Sequence, residues 1–311
     1  MRIKERLQKV LPGFVNEEWE FIRGAYYERL GKGDKLPEAL KKWYKKRKGR
    51  TLNLEAPVTF SEKIQWLKIY DVTPEKTKLC DKYLVREWIR EKIGEEYLVP
   101  MIGAWDTAEE IDFQKLPGQF VLKTNHSSGW NIVVTDRDSL DIPKVKRKLN
   151  RWMNTDFATF MGYEMQYRDV KRKIIAEEYI GDGVNELDDY KVMCFHGEPQ
   201  CIWIDRGRHT DHRRNLYDGN WHKMPYTMLV PNLETDPPAP ANLRKMWEIA
   251  KILSERFICA RIDFFEVNGK LYFGEITFTS GSGLSDFDPP DLNRKWGDMM
   301  HLPEKYEVFR Y

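Results

Sequence analysis

Several features that assign a protein to a class at sight are missing from this chain. Its 311 residues contain no apolar run of the ~18 residues that a membrane span needs, and the opening MRIKERLQKVLPGF is amphipathic and charged rather than leader-like. Four cysteines (Cys80, Cys194, Cys201, Cys259) have neither CxxC nor zinc-type spacing, which argues against a zinc site or a disulfide framework and for free buried thiols. Neither sign of charge dominates: 51 basic against 49 acidic residues leave a net +2, which argues against nucleic-acid binding driven by bulk charge. No GK[ST] triplet occurs, so there is no Walker-type phosphate loop. No repeat or low-complexity segment is evident. The expectation left standing is a soluble, cytoplasmic, globular protein.

What is present is core material: 41% apolar residues, 13% aromatics and 11 Trp. Residues 1 to about 50 read as helical and end in KKWYKKRKGR, a solvated helix end. TFSEKIQWLKIYD opens with a capping-box pattern that places the cap at Ser61, and TPEKTKLCDKYLVREWIREKIG reads as a helix from Pro74 to Gly94. From about residue 99 hairpins take over. FVLKTNHSSGWNIVVTD is strand, polar loop, strand, and a basic helix (IPKVKRKLNRWMN) leads to the strand KIIAEEYIG. DYKVMCFHGEPQCIWID is a strand pair, and a helix at about 241–256 leads into a last hairpin. Hairpins without strict βαβ alternation predict an α+β fold, with a mostly helical region over 1–98 and α+β subdomains over 99–177 and 178–311.

The last hairpin, ARIDFFEVNGKLYFGEIT, carries Arg261, Asp263 and Glu275 among large apolar residues. Charges on a half-buried strand pair are costly unless paired or bound to a metal. Asp263 and Glu275 are hard oxygen donors suited to Mg²⁺, and Arg261 suits developing negative charge. A parity condition follows. A two-residue Asn268-Gly269 loop pairs Asp263 with Gly274 and sends Glu275 to the opposite face. A three-residue loop, or an equivalent bulge, puts Arg261, Asp263, Glu275 and Thr277 on one face. The residues permit either. Elsewhere, KTNHSSGWN has the small polar residues of a loop able to fold over phosphates, and Glu177 and Glu178 end an apolar strand that suits a hinge. DRGRHTDHRRNLYD packs Arg206, Arg208, His209, His212, Arg213 and Arg214 into nine positions, a basic loop or a site for an anionic substrate.

Taken in order, FSEKIQWLKIYD, DKYLVREWI, FVLKTNHSSGWN, DYKVMCFHGEP, RRNLYD and YFGEITFTSGSG resemble the TupA-like branch of the ATP-grasp superfamily, associated with teichuronopeptide and capsular polysaccharide biosynthesis. The likeness spans about residue 50 to residue 300. It implies an ATP-grasp fold, two α+β subdomains clasping ATP beside a helical N-terminal region. It also implies a carboxylate–amine ligase acting through an acyl phosphate, with ATP and one or two Mg²⁺. Carried over by position, Lys82 and Lys123 contact phosphates, and His126, Ser127, Ser128 and Gly129 form the covering loop. Glu177, Glu178, Tyr179 and Ile180 form the adenine-side hinge, Asp189 binds the ribose, and Lys191 also belongs to the ATP site. Asp263, Glu275 and Thr277 hold metal, and Arg261 steadies the acyl phosphate. Arg206, Arg213, Arg214, Ser280, Gly281 and Ser282 are the substrate-side candidates, with Arg213 and Arg214 preferred as a pair.

The sequence departs from the superfamily twice. Thr277 stands where an Asn often follows the metal-binding Glu by two positions, and Ser127 stands where a Gly is expected in HSSG. The substrates implied are a uronic-acid-containing glycan or sugar nucleotide and a small amine or amino acid. A glycosyltransferase, a sugar kinase built on the same fold, and a non-catalytic binding module are the alternatives.

Overall fold

The computed structural model describes residues 24, 26–31, 33–181, 187–208 and 210–303. The helical reading of residues 1–23, and His209 in the basic loop, lie outside them.

Helix α1 (Leu36–Lys48) ends on Gly49, whose φ of 72° suits a residue without Cβ. Helix α2 (Phe60–Tyr70) is capped two residues earlier than the sequence suggested. Thr59 Oγ1 accepts from the Glu62 amide (3.3 Å), and the Glu62 carboxylate accepts from the Thr59 amide (3.0 Å). Thr59 has a Glu three residues on, as the reciprocal box requires, whereas Ser61 does not; Ser61 lies inside the helix. The single helix expected from Pro74 is two, α3 (Pro74–Cys80) and α4 (Val85–Lys92). Asp81 makes the break, its Oδ1 accepting from the amides of Tyr83 (2.8 Å) and Leu84 (3.2 Å) and from the side-chain amide of Asn125 (2.9 Å).

Strands β1 (Met101–Trp105), β2 (Phe120–Thr124), β3 (Asn131–Val134) and β4 (Ile174–Glu178) form a sheet in the order β1-β4-β2-β3. Helix α5 (Ile142–Met153) buries Val145, Leu149 and Trp152 against Phe120, Leu122 and Ile174 of that sheet, and the short α6 (Phe157–Phe160) follows. Strands β5 (Asp189–Phe195), β6 (Glu198–Arg206), β7 (Arg213–Tyr217), β9 (Cys259–Val267) and β10 (Lys270–Thr277) form a second sheet, ordered β10-β9-β5-β6-β7. Both sheets are antiparallel throughout. The two-residue strands β8 (Thr227–Met228) and β11 (Phe287–Asp288) pair with each other, and α7 (Leu243–Ser254) and α8 (Asp291–Met299) complete the set.

Period-two alternation gives the second sheet two different faces. Val192, Ile202, Ile204, Ile262, Phe264 and Ile276 are buried under α7, which contributes Met246, Ile249 and Leu253. The opposite face begins apolar, where Phe195, Trp203 and Leu216 meet Phe60, Ile64 and Trp296 of the helical layer. Farther along the strands the same face turns charged. Cross-strand partners share a face, and the register joins Glu275 to Asp263, Asp263 to Lys191, Asp189 to Asp205 and Asp205 to Arg214. The helical layer covers the apolar part and leaves the charged part at the junction with the first sheet. No helix among the described residues is long and apolar enough to cross a membrane.

Candidate active site

The hairpin β9–β10 resolves the parity condition through a bulge. Its turn is the two-residue Asn268-Gly269, both at positive φ (52° and 75°), as a type I′ turn requires. Pairing is regular from Val267–Lys270 to Phe264–Phe273, then slips at Gly274, so that Glu275 faces Asp263 and Thr277 faces Arg261. A Cβ on Gly274 would lie 3.1 Å from the Asp263 carbonyl oxygen, tight enough to favour glycine in the bulge.

Arg261 ties this face together. Its Nε and Nη2 donate to the two Asp263 oxygens (2.6 Å each), Nη2 also to Glu275 Oε1 (3.2 Å) and Thr277 Oγ1 (3.1 Å), and Nη1 to Ser280 Oγ (3.3 Å). Burial opposes the guanidinium charge, but Asp263 and Glu275 outweigh it and push its pKa further up. Burial also raises the Asp263 carboxyl, against the pull of Arg261 and Lys191. For Glu275 the neighbouring cations win over burial: Lys82, Arg261 and Lys191 hold it down at about 2.

The break between α3 and α4 aims Lys82 at this cluster. Its Nζ lies 3.2 Å from Glu275 Oε2 and donates to the Ser127 carbonyl. Beside it, Glu177 receives Lys123 Nζ (2.5 Å) and Arg86 Nη1 (2.9 Å), and Arg86 Nη2 donates to the Val99 carbonyl (2.8 Å). These charges line one cleft with the apolar Leu79, Val85, Leu98, Phe273 and Ile276. The cleft lies between the two sheets, closed at its back by α3 and α4.

Lys82, Lys123, Glu177, Glu275, Asp263, Arg261, Thr277 and Ser280 are thus brought together. Lys191 continues the row, paired with Asp189 and 3.5 Å from Asp263. Asp189 is buried and also holds Arg208 Nη1 (2.6 Å), so it faces protein cations. Glu178 is exposed, on the face of β4 away from Glu177, and Tyr179 and Ile180 are half-buried beyond the strand end. In the covering loop only Gly129 is fully exposed and Ser128 partly so. His126 and Ser127 are buried, the first against the Trp152 carbonyl (3.3 Å) and the Trp130 ring, the second against Thr124 Oγ1 (2.5 Å). Burial, reinforced by Arg172, lowers the pKa of His126 to about 4.

The arginines expected as a substrate pair are not brought together. Adjacent positions on β7 point to opposite faces. Arg214 forks onto Asp205 (2.6 and 2.9 Å), whereas Arg213 pairs with Asp211 (2.7 Å) and Glu234 (3.3 Å). Arg206 is engaged by Asp188 (2.7 and 2.5 Å). Gly281 and Ser282 lie in a left-handed turn behind Ser280. Sequence reasoning missed Arg86 and Asp205. Arg86 was findable, four residues after Lys82 in the same motif; Asp205 had no local signal, because its partner is set by strand pairing.

Among the described residues no group of three or more His, Cys, Asp or Glu side chains is gathered as a metal site. The donors that are gathered are two facing carboxylates and the Thr277 hydroxyl. This hard-oxygen set fits Mg²⁺, which usually completes its shell with water and phosphate oxygens.

Two antiparallel sheets close on a cleft, one of them presenting an Arg-Asp-Glu hairpin, and the family match assigns this arrangement to the ATP-grasp class of proteins. Within it, the model of the TupA-like ATPgrasp family matches residues 62–301, and the chain belongs to that family. None of the curated proteins matches it. Among solved structures it is similar to the D-alanine–D-alanine ligase from Bacillus anthracis complexed with ATP (17% identity, TM-score 0.42, 72% of this chain and 63% of that one). It is also similar to a RimK domain protein ATP-grasp from Sphaerobacter thermophilus (12%, 0.40, 79% and 72%). A third is N5-carboxyaminoimidazole synthase from Aspergillus clavatus in complex with ADP and 5-aminoimidazole ribonucleotide (14%, 0.38, 78% and 50%). The chain spans less than two thirds of the length of the first of these.

Proposed function

We propose that this protein is an ATP-dependent carboxylate–amine ligase that forms an amide on a uronic acid of a cell-surface polysaccharide or its precursor. The observation that carries the reading is the Gly274 bulge, which gathers Arg261, Asp263, Glu275 and Thr277 on one face, within reach of Lys82. The cleft's apolar walls suit a purine ring, and its lysines suit a triphosphate. Lys82 and Lys123 would hold phosphate oxygens, and Asp263 and Glu275, with Thr277, would hold Mg²⁺. Bound there, Mg²⁺ would neutralise phosphate charge so that an anionic carboxylate can approach the γ-phosphorus.

In this reaction a carboxylate oxygen of the acid attacks the γ-phosphorus and ADP leaves. The amine nitrogen then adds to the acyl carbon and inorganic phosphate departs. Arg261 would stabilise the negative charge on the acyl phosphate and on the tetrahedral intermediate. Acyl phosphates hydrolyse readily, which gives the covering loop at residues 126–129 its use in excluding water. Membership of the family favours this reading over a glycosyltransferase.

The test is incubation with ATP, Mg²⁺, hydroxylamine and a panel of uronic acids, following ADP and hydroxamate. ADP with hydroxamate for one acid supports carboxylate activation and names the acid. ADP without hydroxamate for every acid overturns it in favour of hydroxyl phosphorylation or idle hydrolysis.

A further inference from the structure

Behind Ser280 the chain makes a turn that L-residues rarely adopt. Gly281 (φ 57°, ψ 21°), Ser282 (φ 53°, ψ 22°) and Gly283 (φ 66°) are consecutively left-handed, and Ser282 has a Cβ to accommodate. Such runs persist only where their surroundings hold them. The turn's own bonds are two, Ser282 N to Thr279 O (2.8 Å) and Leu284 N to Gly281 O (3.0 Å).

From outside, Ser282 Oγ donates to the Met161 carbonyl (2.9 Å) and Thr279 Oγ1 is held by Glu164 (2.7 Å) and Gln166 (2.9 Å); the Ser282 carbonyl is held from α2, a helix outside both sheets. Lys68, wholly buried, donates from Nζ to Ser282 O (2.8 Å), Ser282 Oγ (2.7 Å), Gly162 O (3.0 Å) and Gln65 Oε1 (3.0 Å), and it lies 4.5 Å from the centre of the Trp43 ring. An ammonium has three protons, so all are committed. One turn back on the same helix face, Gln65 Nε2 donates to Ser282 O (2.9 Å); a Cβ on Gly283 would fall 2.3 Å from that nitrogen. A buried ammonium is costly where an apolar side chain would pack as well, so its place here calls for a specific task. In front of the turn, Ser280 Oγ accepts from Arg261.

We infer that Lys68 is a positioning residue: it holds the 280–283 turn left-handed so that Ser280 meets Nη1 of Arg261, the one guanidinium nitrogen that is not bonded to Asp263. The hold on the turn stands on the geometry alone, whereas its consequence for the acid substrate rests on the ligase reading above. Lys68 touches neither the cleft nor the hairpin charges, so its loss spares nucleotide binding and damages the acid side.

The test uses the full chain with Lys68→Met, which keeps length and removes the donors. Hydrogen exchange in peptides spanning 279–285 should quicken at least tenfold while β9 and β10 stay protected. kcat/KM for the activated carboxylate should fall at least tenfold, with the Kd for a non-hydrolysable ATP analogue within threefold of the parent. Unchanged exchange over 279–285 in a folded variant overturns the inference, as does a parallel loss of nucleotide affinity. Should Lys68→Met fail to fold, Gln65→Leu removes one of the same bonds and is judged by the same two readouts. If the parent protein activates no acid, the ligase reading fails, and the exchange data still decide the role of Lys68.

Discussion

Glu275 stands directly across the strand pair from Asp263, because Gly274 is the one extra residue in an otherwise regular hairpin. Without the slip, Asp263 would face Gly274 and Glu275 would enter the apolar layer under α7. Both carboxylates therefore reach one face, where Arg261 and Lys82 now neutralise them.

Glu275→Gln and Asp263→Asn keep shape and remove charge. Each should lower turnover on the order of a hundredfold or more while the protein stays folded, the range seen when one electrostatic stabiliser is lost. Steady-state ADP release alongside circular dichroism checks this. Near-normal turnover in either folded variant removes the metal assignment.

Arg86 and Lys123 share Glu177. Arg86→Met leaves Glu177 half-paired and the Val99 carbonyl without its donor. The expected loss is about 1–3 kcal/mol, less than for a fully orphaned buried charge because Lys123 remains. Urea unfolding measures it, and a matching fall in ATP affinity is expected because the pair lines the cleft.

His126 is buried and neutral, with a folded-state pKa of about 4 against an ordinary 6.5. Below pH 6.5 the unfolded chain takes up a proton that the folded one refuses, so stability falls as pH drops from 6.5 to 4. The full effect is on the order of 3 kcal/mol, present above pH 6.5 and lost by pH 4. Denaturant unfolding at a series of pH values should show this slope, and His126→Asn should flatten it.

The two neighbouring arginines on β7 should behave differently. Arg214→Met strips the buried Asp205 of its guanidinium fork, leaving it His212 (3.0 Å) and Lys191 (3.6 Å), and should cost about 1–3 kcal/mol, less than a fully unpaired charge. Arg213→Ala, on the opposite face and part-exposed beside the exposed Asp211 and Glu234, should leave the unfolding midpoint in place. If both variants keep full stability and lose only acid-substrate affinity, Arg214 faces substrate rather than Asp205.

Much of this was legible beforehand. The strand pairs around Asn268-Gly269 and His196-Gly197, the basic helix and the crowding of charge on the last hairpin all follow from local chemistry. The cap of α2 was misplaced because two candidate oxygens lay two positions apart, and only the reciprocal bond to Glu62 separates them. The break at Asp81 was missed because part of what holds it, the Asn125 side chain, lies 44 residues away.

By itself, then, the sequence determined the period-two and helical patterns, the turn residues and the charged hairpin, since each depends on neighbours within a few positions. Tertiary structure alone decided which face Glu275 joins, where Lys82 points and that Arg213 and Arg214 part company. It also decided that a lysine of α2 reaches a turn 214 residues later. The physical reason is the same throughout: a side chain's face depends on bulges and cross-strand register, and buried charges find partners through pairing that local composition does not encode.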